Sequence, residues 1–284
     1  DCCDLENMTK AMEGCDIVYH TAATAYEGLS VFSPVLVTRN IFEASVTTIT
    51  AAIRNKVKRI VYCSSMARYG HHDKMPYKED YECRPQDPYG IAKKAGEDVL
   101  RNLCETHGVE YVIAVPHNIV GPRQKYDDPF RNVMSIMLNR MLQGKQPIIY
   151  GDGEQQRCFS YIDDCLYCLN ALAFQDNVIG EVINIGPDEE PITINELAEA
   201  CANETGINLD PIHHKDRPKE VKLAVCSSDK ARELLGYSTA TNMRQSVKKT
   251  AEYIRTRGTK KFQYHLPLEI INDKTPETWK NKLI

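Results

Sequence analysis

The chain has 284 residues, of which 42% are hydrophobic and 26% charged, which suffices for one large core or two smaller lobes. Its formal net charge of -4 gives no reason to expect nucleic acid or an anionic membrane surface as a partner. No run of about 18 uncharged apolar residues occurs, so we expect no membrane span.

Apolar strand-like runs alternate with helical patterns along the chain, which is typical of an α/β protein with a parallel sheet. In chain order, we predict strands at residues 17–20, 59–63, 110–115, 147–150 and 182–185. We predict helices at residues 37–55, 88–106, 130–142, 163–173, 194–205, 229–235 and 243–255.

The strand at residues 59–63 ends in two hydroxyl residues, Ser64 and Ser65. Such a strand end is where doubly wound α/β proteins place their active groups. The helix that follows places Tyr89 and Lys93 four residues apart on one face. A free phenol has a pKa of about 10, and a nearby ammonium and a helix N-terminus both favour its ionised form. We therefore predict Tyr89 as a proton acceptor in redox-type chemistry at a sugar or alcohol carbon.

These motifs, together with several others in the same order, resemble the extended short-chain dehydrogenase/reductase family, specifically its nucleotide-diphosphate-sugar epimerases and dehydratases. The matching segments are 16–23, 58–70, 87–94, 118–123, 150–157, 161–164, 217–221, 228–231 and 235–237. The resemblance implies a Rossmann-like, doubly wound parallel sheet with a smaller C-terminal substrate-binding lobe. It implies a partial NAD-binding domain at 1–120 and 160–186, a substrate lobe at 121–159 and 187–260, and a tail at 261–284.

One part of the family pattern is absent from the sequence. Dinucleotide-binding domains open with a glycine-rich turn that receives the pyrophosphate, and no such glycine spacing occurs here. Residues 1–5 resemble the adenine-side end of the third strand, so about 50–60 residues of N-terminal strands and helices are missing from the expected fold. We interpret the chain as a fragment that is inactive as it stands; a natural protein without the pyrophosphate loop is the alternative.

The missing segment has a predicted energetic consequence. In the resemblance, its first strand lies beside residues 17–20, which would otherwise form an open apolar edge. We therefore predict a chain that is poorly soluble or only partly folded.

The resemblance also implies individual roles. Ser65, Tyr89 and Lys93 are the implied catalytic residues, with Lys93 also lowering the pKa of the Tyr89 phenol. The implied cofactor is NAD, bound by Asp1, Cys2, Ala22, Ala23, Tyr89, Lys93 and Pro116. The implied contacts to a nucleotide-diphosphate sugar are Ser65, Asn118, Arg157, Arg217 and Glu220, where the arginines suit the diphosphate oxygens. Asn40 is near the family's cofactor-side asparagine but lies one residue out of register with Ala51 and Ala52.

The reaction type depends on the two residues after Ser65, where the family's dehydratases carry an Asp-Glu pair. Met66 and Ala67 stand there instead and cannot exchange protons, which disfavours dehydration. We therefore expect NAD-dependent epimerisation at C4 through a 4-keto intermediate. The alternatives are a reductase or dehydratase of the same family, or a non-catalytic sugar-nucleotide-binding protein.

Other features receive simpler interpretations. Eleven cysteines, an odd number at irregular spacing, suit a reducing cytoplasm better than a disulfide framework. Cys165 and Cys168 have the spacing of a ligand pair, but we interpret them as buried thiols and expect no metal. Ile91, Ala95, Val99 and Leu103 lie on one face of their helix, which either covers the sheet or forms a four-helix homodimer contact. For residues 262–284 we have no prediction.

Overall fold

The computed structural model describes residues 1–218 and 221–284. Its helices are α1 Leu5–Ala11, α2 Glu27–Ser30, α3 Pro34–Thr38, α4 Ala44–Arg54, α5 Pro88–His107, α6 Val133–Met141, α7 Ile162–Phe174, α8 Ile194–Thr205, α9 Asp229–Leu235, α10 Met243–Arg257 and α11 Glu277–Lys280. Its strands are β1 Ile17–His20, β2 Arg59–Cys63, β3 Glu110–Pro116, β4 Ile119–Val120, β5 Ile148–Tyr150, β6 Gln156–Arg157, β7 Ser160–Tyr161, β8 Val182–Ile185, β9 Ile192–Thr193, β10 Ile212–His214 and β11 Leu223–Ala224.

The central element is a parallel sheet in the order β1-β2-β3-β8. In the register of the sheet, Arg59 of β2 pairs with Ile17 of β1 on one side and with Glu110 of β3 on the other. All three strand pairings in the sheet are parallel. Because helices cover both faces, β2 and β8 consist almost wholly of buried residues. Within the described residues β1 pairs only with β2, and the Tyr19 side chain is 42% exposed. The predicted parallel sheet is confirmed, and β1 is an edge strand.

Apolar cores lie on both faces of this sheet, and another lies away from it. One face packs β2 and β3 against α4 and α5, and the other packs them against α7 and α9. Both cysteines of the predicted buried pair, Cys165 and Cys168, lie fully buried in the second of these cores as free thiols. A third core joins α6, α8 and α10 away from the sheet. The domain boundaries given above stay a prediction.

The predicted helix at 37–55 is divided by one turn of π-helix at Arg39–Glu43, between α3 and α4. A π-turn accommodates one extra residue in an otherwise α-helical segment. The Asn40 side chain donates a hydrogen bond to Thr24 Oγ1, 2.9 Å away, beside the turn that follows β1.

Helix α5 begins and ends as its sequence predicts. Asp87 caps it by accepting a hydrogen bond from the Gly90 N–H at 2.9 Å, and Gly108 ends it with φ 68°. The fully buried positions include Tyr89, Lys93, Leu100 and Cys104. The stripe of Ile91, Ala95, Val99 and Leu103 is instead only partly covered, and Ile91 is 53% exposed. Val99 and Leu103 nevertheless pack against the core on the sheet, so the stripe covers the sheet in part, and its role in a dimer contact stays a prediction.

Residues 261–284, which carry no prediction, pack against the body of the protein. Trp279 is buried in a cluster with Leu29, Phe32 and Phe130. The Glu269 carboxylate accepts hydrogen bonds from the backbone N–H groups of Val35 and Leu36 at 2.8 and 2.9 Å. No helix in the described part of the chain is both long and apolar enough to cross a membrane.

Candidate active site

A cavity of about 590 Å³ opens where β1, β2 and β3 end, at the carboxyl edge of the sheet. This is the edge at which open α/β sheets bind their ligands, and the volume is in the range of ligand pockets. The cavity brings together most of the residues singled out by sequence, namely Ala23, Ser65, Tyr89, Lys93, Pro116, Asn118, Arg157 and Arg217. Asp1, Cys2 and Ala22 do not line it. Glu220 lies outside the described residues.

Ser65 and Tyr89 line the same cavity. Ser65 is extended just after β2, and its hydroxyl oxygen accepts a hydrogen bond from the Ala67 N–H at 3.2 Å. Burial raises the pKa of Tyr89, while the Ser65 hydroxyl and the positive charge of Arg131 act to lower that pKa. The net direction is upward, so the unliganded site favours the neutral phenol.

Lys93 does not act on Tyr89 as the sequence predicts. Its ammonium donates a hydrogen bond to the Cys63 carbonyl at 2.8 Å and lies 5.6 Å from the centroid of the Tyr62 ring. Burial lowers the pKa of Lys93 to about 8. The predicted lowering of the Tyr89 pKa by Lys93 is wrong in this state: burial dominates, and the charge that opposes it belongs to Arg131.

The lining residues fit NAD on two counts. An ammonium has three N–H donors, and Lys93 commits one of them to Cys63, so it retains donors for ribose hydroxyls. His117 is buried beside the same cavity and donates from Nε2 to the Pro187 carbonyl at 3.0 Å. Its Nδ1 has no hydrogen-bond partner among the described residues, and buried acceptors rarely stay unpaired. Lys93 and His117 would thus serve the ribose and the amide end of the cofactor.

Three of the predicted substrate contacts, Asn118, Arg157 and Arg217, line the same cavity as Lys93. Asn118 takes a left-handed backbone conformation, with φ 44°, and its amide donates to the Cys158 carbonyl at 2.9 Å. Arg157 donates to the Gln156 carbonyl at 2.7 Å, and the Arg217 guanidinium lies 4.9 Å from the Tyr150 ring centroid. Both arginines line the cavity, where planar guanidinium groups suit the oxygens of a diphosphate.

Arg131 is a cavity residue that sequence reasoning missed. It contacts the Ala25 carbonyl through Nη1, and its guanidinium lies 5.9 Å from the Tyr26 ring centroid. Its charge acts to lower the pKa of both Tyr89 and Lys93, so it is close enough to influence the centre of the site. Sequence reasoning missed Arg131 because no motif surrounds it. Arg131 reaches the cavity through a contact between distant segments, in which the loop before α6 meets the segment before α2.

A buried ion pair supports the residues at the end of β2. Glu97, one turn after Lys93 on α5, forms a salt bridge with Arg68 at 2.9 Å, and both side chains are almost fully buried. The Ser64 hydroxyl donates to the other carboxylate oxygen of Glu97. The structure thus gives Ser64 a supporting position beside Ser65. Glu97 was also missed, since a glutamate in a helix carries no sequence signal of burial.

The two residues after Ser65, where the resemblance places the acid pair of the dehydratases, both line the cavity. Met66 and Ala67 form a single 3₁₀ turn directly after Ser65. The Met66 sulfur lies 4.0 Å from the Asn118 amide, and Ala67 is 7% exposed. Neither side chain can donate or accept a proton at the sugar.

Comparisons with known proteins agree with this arrangement. The sequence pattern of the NAD dependent epimerase/dehydratase family matches residues 1–186, and the chain belongs to that family. A putative UDP-glucose 4-epimerase of Methanocaldococcus jannaschii is 30% identical over 243 residues, which are 84% of this chain and 77% of the relative.

Solved structures give the same result. The UDP-glucose 4-epimerase of Thermotoga maritima, solved with UDP-glucose, has a TM-score of 0.85 at 29% identity, covering 90% of this chain and 83% of that one. The UDP-glucuronic acid 4-epimerase of Bacillus cereus, solved with UDP-glucuronic acid and NAD, has a TM-score of 0.81 at 29% identity, covering 90% of this chain and 81% of that one. The Rossmann-like fold is therefore confirmed, and the family and the structural neighbours are those of NAD-dependent sugar-nucleotide enzymes.

Proposed function

We propose that the chain carries the chemistry of an NAD-dependent 4-epimerase acting on a nucleotide-diphosphate sugar. The observation that supports this best is the convergence of Ser65, Tyr89 and Lys93 on one cavity that Arg157 and Arg217 also line. The printed names of the relatives include UDP-glucose and UDP-glucuronic acid, so UDP-sugars are the first substrates to test.

In this proposal the chain's own residues manage one proton. Ser65 holds the oxygen at C4 of the sugar, and the ionised form of Tyr89 accepts the hydroxyl proton as the C4–H bond breaks. NAD, when bound, would supply a reversible hydride acceptor for C4. The flat 4-keto sugar turns over, and Tyr89 gives its proton back to the oxygen once C4 has been reduced on its other face. Electrons and protons balance, with no net oxidation.

The turning step requires a sugar that is held mainly through its diphosphate. Arg157 and Arg217 suit this role because a bidentate arginine binds phosphate oxygens without contacting the hexose. Met66 and Ala67 leave the wall beside Ser65 without an acid/base group, so elimination of water has no proton donor there.

The assay that tests the function supplies NAD and UDP-glucose and follows formation of the 4-epimer. We expect the parent chain to form the epimer and Tyr89→Phe to be slower by about a hundredfold or more, because the proton acceptor is lost. Tyr126→Phe is the matched control, because Tyr126 is buried in the third core and does not line the cavity. Undiminished epimerisation by Tyr89→Phe would refute the role of Tyr89.

We also propose a homodimer and a cytoplasmic location. Val35, Phe42 and Ile91 are 70%, 38% and 53% exposed on neighbouring elements, and a second copy would cover this apolar surface. Eleven free cysteines suit a reducing compartment. Sedimentation of the parent and of Ile91→Glu tests the dimer: we expect a dimer that dissociates in the variant, and a monomeric parent would contradict it.

A further inference from the structure

The C-terminal tail, residues 261–284, forms part of the wall of the catalytic cavity. Its Trp279 and Ile284 line the same cavity as Tyr89, Lys93 and Arg217. The family pattern covers only residues 1–186, so the tail lies outside the part of the chain that defines the family. The tail therefore offers a means of distinguishing ligands that the shared family residues do not provide.

Trp279 contacts two functional parts of the cavity wall. Its ring packs edge-on against Phe32 and Phe130, with centroid distances of 6.1 and 5.5 Å. Phe130 directly precedes Arg131, whose charge acts on Tyr89. Trp279 Cη2 and Arg217 Nη1 both approach Gly28, within 3.5 and 3.6 Å of the point where a Cβ would stand. Trp279 thus lies close both to the candidate diphosphate arginine and to the segment that carries Arg131.

Neighbouring residues of the tail are coupled to the same arginine. The Thr278 hydroxyl and the Tyr150 phenol share a hydrogen bond, and the ring of Tyr150 lies under the Arg217 guanidinium at 4.9 Å. Tyr264 donates to the Thr278 carbonyl at 2.9 Å, which fixes the turn that carries Trp279. A movement of α11 would therefore move the support of Arg217.

The indole N–H of Trp279 is a buried hydrogen-bond donor. Trp279 is 2% exposed, and its Nε1–H has no hydrogen-bond partner among the described residues. Burying a donor without an acceptor is unfavourable, and tryptophan usually pairs its N–H when it is buried. A ligand with phosphate or hydroxyl oxygens in this cavity would provide the missing acceptor after a small shift of the tail.

We propose that the tail is a ligand-binding element, and that Trp279 is a specificity-determining residue that contacts a bound nucleoside diphosphate sugar between its diphosphate and its hexose. This inference rests on the proposed function, since it takes the ligand class from it. The indole ring covers the ligand, and its N–H donates to a ligand oxygen. Tail and ligand thereby order one another, so that the tail selects which sugars are accepted.

Trp279 is the single tryptophan of the sequence, so indole fluorescence reports on this position alone. The experiment titrates the full chain with UDP-glucose, and separately with UDP, and follows indole emission and the heat of binding in parallel. Trp279→Phe supplies the tyrosine background for subtraction. We expect an emission change that saturates at the concentration found by calorimetry, and a larger change with UDP-glucose than with UDP.

Three variants complete the test. We expect Trp279→Ala to weaken UDP-glucose binding at least about tenfold, as for buried aromatic contacts at interfaces. Gly28→Leu lies outside the tail and adds a side chain where Trp279 and Arg217 both approach. We expect it to weaken UDP-glucose binding and to shift the indole emission. If Trp279→Ala does not fold, Gly28→Leu tests the role of Trp279 in its place. Ile271→Ala is the control, because Ile271 is in the tail, is 58% exposed and does not line the cavity.

Failure of the inference and failure of the function look different. If UDP-glucose binds with measurable heat while the indole emission stays constant and Trp279→Ala or Gly28→Leu binds as tightly as the parent, the role of the tail is refuted and the proposed function stands. If the parent binds neither UDP-glucose nor UDP, both are refuted.

Discussion

The ammonium of Lys93 donates a hydrogen bond to the backbone carbonyl of Cys63, 2.8 Å away. This contact ties helix α5 to the last residue of strand β2, immediately before Ser64 and Ser65. The residue predicted as a cofactor contact therefore also fixes the strand end that carries the predicted serine. The position of Lys93 is determined by the strand end and not by the phenol of Tyr89.

Burial of Lys93 predicts a dependence of stability on pH. The folded chain holds the Lys93 proton with a pKa of about 8, below the usual 10.5, so burial of the charged form destabilises the fold at lower pH. As pH rises from about 8 to 10.5 the folded chain releases this proton before the unfolded chain does, and the free energy of unfolding gains a rising contribution. Lys93→Met should lack this contribution. Denaturant unfolding of parent and variant across this range measures it, and parallel curves would contradict the buried ammonium.

The Ser65 hydroxyl beside Tyr89 predicts a second effect of pH. It acts to lower the Tyr89 pKa, so Ser65→Ala should raise that pKa further and move the rise of kcat/KM to higher pH. At neutral pH we expect a loss of about a hundredfold in kcat/KM. Ser65→Thr keeps the hydroxyl and should retain most of the activity. An unchanged pH profile in Ser65→Ala would show that the serine does not act on the phenol.

The positive charge of Arg131 acts to lower the pKa of Tyr89. Arg131→Met removes this charge, so we expect a higher Tyr89 pKa and slower epimerisation at neutral pH. Arg123→Met is the matched control, because Arg123 precedes the same loop but is exposed and does not line the cavity. Equal pH–rate profiles for the two variants would be incompatible with a role for Arg131.

The buried pair of Glu97 and Arg68 predicts a loss of stability. Glu97→Gln leaves the Arg68 charge without a counter-charge in the protein interior, which typically costs about 3–5 kcal/mol of the free energy of unfolding. Glu204→Gln breaks the exposed pair with Arg255 and should cost less than about 1 kcal/mol. Chemical denaturation of the two variants gives both values, and similar losses would mean that burial does not determine the contribution of Glu97.

Much of the fold follows from local sequence patterns. The strands at residues 17–20, 59–63 and 182–185 have the predicted bounds, because each is a short apolar run between clear breaks. Helix α5 has its predicted start and stop because Asp87 and Gly108 act locally as caps. The π-turn at Arg39–Glu43 was not predicted, because the helical pattern of residues 37–55 runs through it unbroken.

The parts that sequence reasoning missed depend on contacts between distant segments. Trp279 reaches the cavity by packing on Phe32 and Phe130, which lie more than a hundred residues away in sequence and give no local signal. The raised pKa of Tyr89 is likewise a property of burial, which spacing between Tyr89 and Lys93 does not reveal. The sequence pattern predicts a poorly soluble, inactive chain, whereas the residues that meet in the cavity support activity. Thermal unfolding and the epimerase assay decide between these two expectations.

The most direct test of the 4-keto route uses UDP-glucose that carries deuterium at C4, with NAD supplied. The account predicts that the 4-epimer formed retains its deuterium at C4, since the hydride leaves and returns within the site, with no lasting change in nicotinamide absorbance. Epimer that has exchanged its C4 deuterium for solvent hydrogen, or stoichiometric reduction of NAD, would contradict it.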